Sequence, residues 1–235
     1  MIEKVKNEIA AGRPVLVWHA FTNAEWDVIT GFDNTEKVFF GRGSYAGFDK
    51  YAKESETHSK DCLSINIPAM GAIFTGNKTG SFNSYQAELA ALKEAVRHAC
   101  SQSSKDQLCG NKWTFLEGIQ CYTRWINDFK NPQKIRSLGD AYCYNIYRST
   151  HRAVGDFLKE IAPKHLNIEQ FLMQASEHFT EEADIFDHGE LILGWTSPEG
   201  PDSCRNNEVV SLLSKARDCY IRGIEKIESA VKILE

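Results

Sequence analysis

Long apolar runs are missing from this chain. No stretch approaches the roughly 20 residues that span a bilayer, so no membrane partner is expected. A basic cluster is missing too. The net charge is −5 over 235 residues, with no run of Lys and Arg. Nucleic-acid binders need clustered cations to displace counterions from phosphates, so no nucleic-acid partner is expected. Met1–Ala11 alternates charged and apolar residues. It lacks the uninterrupted apolar stretch of a signal peptide, which argues against export. None of the seven cysteines forms a C-x-x-C pair. An odd, scattered set reads as reduced thiols in a cytoplasmic protein. Internal repeats and low-complexity tracts are also missing, which excludes a solenoid.

Metal-ligand clusters are sparse. His58 and Cys62 have a ligand-like spacing, but no second pair stands near them. His178 and His188 are ten residues apart, too far for one helical face at i, i+4. No metal and no cofactor is expected.

What is present is ordinary globular material, 42% hydrophobic and 25% charged. The length suits one large domain or two small ones with a sizeable core. Met1–Ala11 reads as a short helix, with Ile2, Val5 and Ile9 on one face and Gly12 after it. Val15–Trp18 is a compact apolar run, best read as a buried strand. Trp26–Thr30 and Val38–Phe40 are two further strands around a turn at Gly31-Phe32-Asp33-Asn34, which together suggest an antiparallel meander. Gly43–Lys60 is polar and irregular. Leu63, Ile65 and Ile67 alternate as in a half-buried strand, and Ala72–Thr75 reads as another.

The character changes near Gly80. Asn83 with Gln86 resembles a capping box. Tyr85, Leu89, Leu92, Val96 and Ala99 then recur at helical spacing. Ser101–Gly110 reads as a polar linker. Helices are expected over Trp113–Phe129, Asp140–Ala162, from Asn167 (with Gln170 as its cap) towards Leu193, and over Asn207–Leu234. The fold class is therefore α+β: a small antiparallel sheet with a flanking N-terminal helix, packed against a multi-helix C-terminal region. Residues 1–80 form the strand-rich subdomain and 81–235 the helical one, sharing one core.

The densest cluster of chemically useful residues is Trp18–Arg42. Val15, Val17 and His19 share one face of the first strand, and Leu16 and Trp18 the other. His19 near Glu25, Asp27 and Asp33 could be held in one tautomer and transfer protons. Alternatively, Glu25 and Asp27 flank a turn and pair with Arg13 or Arg42. Gly41-Arg42-Gly43-Ser44-Tyr45-Ala46 fits G-x-G-x-x-[GA] after a strand, a pattern that can bring backbone N–H groups to a phosphate. No strong helix follows at once, so a glycine-rich turn is the simpler reading.

The run Gly12-Arg-Pro-Val-Leu-Val-Trp18, then Trp26-Asp-Val-Ile-Thr-Gly-Phe-Asp33, then a strand ending in Gly41-Arg42, resembles the papain-like, peptidase-C39-like group. More narrowly it resembles the butirosin biosynthesis protein H N-terminal family. The resemblance covers about the first third of the chain and implies a papain-like core with Cys–His acyl-transfer chemistry. In that pattern a nucleophilic Cys lies on a helix upstream of the G-x-P-V strand, and a general-base His stands where this chain has Glu25. Met1–Ala11 contains no Cys. The chain is then an inactive relative that keeps the cleft, a truncated form of a longer protein, or one in which His19 with Cys62 or Cys143 has taken over.

On the third predicted helix Asn145, Arg148 and Arg152 share a face, with His151 beside them. Tyr142, Ile146, Phe157 and Ile161 supply the apolar face. The two arginines could hold a carboxylate or phosphate in bidentate fashion, or simply form a solvated face. Trp113, Trp125 and Trp195 are expected in the core.

Two functions follow. The first is a papain-like protein with His19, Glu25 and Asp33 as catalytic candidates and Trp18, Trp26, Arg42, Tyr45, Arg148 and Arg152 as ligand contacts. It would process or bind an amide or thioester of a small molecule, a peptide or an acyl carrier. The second is a non-catalytic binding or scaffold protein whose helices form a partner or homo-oligomer surface.

Overall fold

A computed structural model describes residues 1–18, 20–21, 26–43, 51–53, 71–78, 80–101, 104–108, 111–198 and 202–234. The chain is α+β and divides into two compact units, Met1–Ser81 and Phe82–Glu235. Among the described residues, the buried apolar side chains gather in two clusters, one within each unit.

In the first unit, helix α1 (Ile2–Ala10) precedes strands β1 (Val15–Trp18), β2 (Trp26–Asp33), β3 (Val38–Arg42), β4 (Tyr51–Lys53) and β5 (Ala72–Phe74). The strands form one antiparallel sheet in the order β4-β3-β2-β1-β5. Alternation dictates its inner face. Val15 and Val17 are buried, paired with Ile29 and Asp27 on β2, and Val5 of α1 joins them in the core with Phe39. The turn falls later than expected, because Gly31–Asp33 continue β2. The chain reverses over Asn34–Lys37, where Asp33 Oδ1 accepts the backbone N–H groups of Thr35 at 2.7 Å and Glu36 at 3.1 Å. The strand expected over Leu63–Ile67 lies outside the described residues.

The second unit contains α2 (Ser84–Ala99), a two-stranded ribbon of β6 (Ser104–Leu108) and β7 (Asn111–Phe115), α3 (Ile119–Phe129), α4 (Leu138–Ile161), α5 (Glu169–Asp187), the short α6 (Glu190–Leu193) and α7 (Ser203–Leu234). α5 packs against both α4 and α7, and α2 and α3 also lie on α7. Asn83 caps α2 by accepting Gln86 N–H at 3.1 Å, as expected. The expected linker and the start of the expected second helix are instead the ribbon β6–β7. Helix α3 begins only after Gly118, whose φ is +55°. A side chain there would strike the backbone of Ala99, with Ala99 O only 2.4 Å from the added carbon. α5 starts after Ile168 with no side-chain cap, so Asn167 and Gln170 do not form the expected box. A capping box does occur, unforeseen, at Ser137 and Asp140 of α4.

The buried face of α4 also differs from expectation. Tyr142, Ile146 and Phe157 are exposed. Ala141, Tyr144, Gly155, Leu158 and Ile161 are buried. Ser176 of α5 donates to the Gly155 carbonyl at 2.7 Å, a close approach that places this face against α5. Trp195 is exposed, and Trp125 is half-buried with its indole N–H on Asp140 at 2.9 Å. The side chain of Trp113 lies outside the described residues.

Candidate functional site

The sequence-derived cleft around Trp18–Arg42 is only partly described. His19, Glu25 and Tyr45 lie outside the described residues. Trp18 and Trp26 are register partners on β1 and β2, packed edge to face at 5.5 Å between ring centres. Asp33 shapes the turn after β2, and Arg42 is exposed at the end of β3. Asp27, expected beside a turn, is instead fully buried in β2 and accepts the Phe21 N–H at 2.6 Å. Arg13 pairs with Glu8 at 2.6 Å.

Arg148 and Arg152 do share a face, and they hold carboxylates of their own chain. Arg148 Nε donates to Asp187 at 2.5 Å. Arg152 donates to Asp184 and Asp187, each at 2.8 Å. Each arginine already faces aspartate oxygens, so this surface carries a local ion-pair network.

The residue beside them stands in a different setting. His151 lies on α4, one turn after Tyr147, and points between α4, α5 and α7. Its Nδ1 is 2.7 Å from Oε1 of Glu182 on α5. The Tyr122 hydroxyl of α3 donates to the same oxygen. Glu182 is 0% exposed, and its Oε2 has no hydrogen-bond partner among the described residues. Tyr220 of α7 stacks on the imidazole at 5.3 Å and 17°, and Tyr147 and Phe179 pack around it.

A cavity of about 450 Å³ adjoins this cluster. Its wall is largely apolar: Ala91 and Ala95 of α2, Val154 of α4, Phe179 of α5 and Ile224 of α7, with Tyr147, His151 and Tyr220 at one side. Ile146, Thr150, Gly118, Glu94 and His98 also line it. This volume and lining suit a small organic ligand. The Nε2 atom of His151 makes no hydrogen bond among the described residues and is not sealed from solvent.

The chemistry follows from these contacts. A carboxylate accepts, so Nδ1 carries the proton and Nε2 presents a lone pair when the imidazole is neutral. Burial, and then Glu182, push the phenols of Tyr122 and Tyr220 upward, and burial likewise raises Tyr147. All three stay neutral at physiological pH. Burial also raises the Cys121 thiol, so it is no ready thiolate nucleophile. The site can accept a hydrogen bond or a proton at Nε2 and can surround an apolar body with rings.

Sequence reasoning placed His151 on the helix but missed Glu182, Tyr122 and Tyr220. Those residues come from three other helices and share no local spacing. The one legible signal is the stripe Tyr144, Tyr147, His151 and Gly155, spaced as one helical face. Among the described residues, no group of three His, Cys, Asp or Glu side chains is placed to hold a metal ion. No helix among them is long and apolar enough to cross a membrane. Set against known proteins, the chain matches no family model and no curated protein.

Proposed function

We propose that the helical unit binds a small, largely apolar molecule, held by one hydrogen bond to His151 Nε2. The observation that carries this is a single one. His151, fixed through Nδ1 by a fully buried glutamate, lines a cavity of about 450 Å³, and its Nε2 makes no hydrogen bond among the described residues. Apolar walls supply the affinity, and one convergent polar group orients the ligand. In this reading the protein is a ligand-binding protein, and the His–Glu pair is its recognition element.

The test is a calorimetric titration with 1-naphthalenemethanol, a bicyclic apolar body with one hydroxyl donor. Wild-type protein is expected to bind it. His151→Phe keeps a ring in the stack but removes the acceptor. It should weaken binding about fivefold, the worth of one neutral hydrogen bond. No binding to the wild-type protein, or equal binding to both, overturns the proposal.

A second reading keeps the papain-like resemblance: an acyl-transfer or amide-binding cleft in the first unit. It is favoured by the pairing of the two resembling segments, since Val15–Trp18 lies antiparallel to Trp26–Ile29. Iodoacetamide competition tests its active form. If no cysteine reacts faster than a free thiol, the active form falls.

A further inference from the structure

Given that this cavity is a binding site, on which the inference rests, we propose that its ligand is an organic cation: a small aromatic or aliphatic amine whose ammonium group sits on His151 Nε2. Among the described residues the wall carries no Lys and no Arg. Its ionisable groups besides the phenols are Glu94, His98 and His151, and Glu94 is already tied to Arg97 at 2.7 Å. Behind the imidazole stands Glu182, 0% exposed, with Oε2 unpartnered among the described residues. A sealed carboxylate needs a positive partner, because burying a charge without one is costly.

The His151 ring transmits that need to the cavity. Nδ1–H donates to Glu182, and the lone pair of Nε2 accepts an N–H of the ammonium. The ammonium keeps its proton and donates it in a hydrogen bond to Nε2, while the Nδ1 proton stays on Nδ1 and is donated to Oε1. The ammonium–imidazole–carboxylate chain leaves the carboxylate charge compensated. Tyr147, Phe179 and Tyr220 also line the cavity, and aromatic rings favour a cation over an anion. A carboxylate or phosphate ligand would find no Lys or Arg among the described wall residues and would feel Glu182 through the ring. A neutral alcohol can make the same hydrogen bond but not the charge-assisted one.

Three matched probes test this: 1-naphthylmethylammonium, 1-naphthalenemethanol and 1-naphthoate, titrated into the full chain at neutral pH. The ammonium should bind about tenfold more tightly than the alcohol, the ratio between a charge-assisted and a neutral hydrogen bond. The naphthoate should bind most weakly. Glu182→Gln, with folding checked by circular dichroism, should remove the ammonium's advantage over the alcohol. The wild-type ranking decides the question even if that variant does not fold. Should the alcohol or naphthoate bind best, and do so through His151, the cation inference fails while the binding site stands. Should none of the three bind, the binding proposal itself falls.

Discussion

Removing one oxygen from Tyr122 probes the buried cluster most directly. The Tyr122 ring is fully buried, packed against Tyr147, Phe186 and Tyr220, and Tyr122→Phe leaves that packing in place. Only the hydroxyl that donates to Glu182 Oε1 is lost. Glu182 is 0% exposed, so bulk water does not replace the donor, and among the described residues only His151 remains to donate to it. A hydrogen bond to a charged group is worth about 1.5–3 kcal/mol, and the full amount should be lost here. At roughly 2–4 °C per kcal/mol for a chain of this size, the melting temperature should fall by about 3–12 °C. Urea unfolding followed by far-ultraviolet circular dichroism measures the loss, with an unchanged m-value as the check that the denatured state is the same. In a Glu182→Gln background the same substitution should cost only about 1 kcal/mol, because the acceptor is then neutral. A loss below about 0.5 kcal/mol for Tyr122→Phe, within the range of an ordinary surface change, would refute a hydroxyl serving a sealed carboxylate.

Gly118→Ala should cost about 2 kcal/mol or more by the same assay, from the positive φ and the approach to Ala99; a neutral result would mean that α3 starts differently. Asp140 governs an acid limb. Burial raises its carboxyl, but Lys134, the Ser137 backbone and hydroxyl, and Trp125 outweigh that and hold it below the ordinary 3.8. Its contribution is thus complete above pH 3.8 and is lost as pH falls through the lower folded value. Asp140→Asn should flatten that limb in a pH series of thermal melts, and an unchanged acid profile would contradict the pairing. Arg148→Met and Arg152→Met should each cost at most about 1 kcal/mol, since half-exposed ion pairs are weak, and a loss above about 2 kcal/mol would contradict that exposure. Thiol labelling mapped by mass spectrometry should reach exposed Cys204 well before buried Cys219, whose thiol burial pushes up to about 11; the reverse order would overturn the packing of α7.

Elements with a strong local period were legible. Val15–Trp18, a compact apolar run after Pro14, read best as a short buried strand, and Asn83 could cap the helix it precedes. On α7, Leu212, Ala216, Cys219, Gly223 and Ile227 fall on one helical face and are buried. The ribbon β6–β7 was not legible. Its strands, Ser-Lys-Asp-Gln-Leu and Asn-Lys-Trp-Thr-Phe, have no apolar alternation in the first and too little in the second. Their pairing, Asp106 opposite Trp113, is a partnership across a turn, and strand propensity is weak beside such contacts. On α4 the large apolar residues suggested one face, and the close approach of Gly155 to α5 selected another.

The candidate site divides in the same way. Composition and period by themselves determined an α+β chain with a sheet first and helices after, because alternation and helical spacing are properties of neighbouring residues. His151 was visible only as a polar residue next to two arginines. What made it different was decided by tertiary structure alone: Glu182, Tyr122 and Tyr220 reach it from three other helices, and only their convergence seals a carboxylate behind an imidazole that faces a cavity. Burial, which turns an ordinary glutamate into a charge in need of a partner, is a property of the packed core.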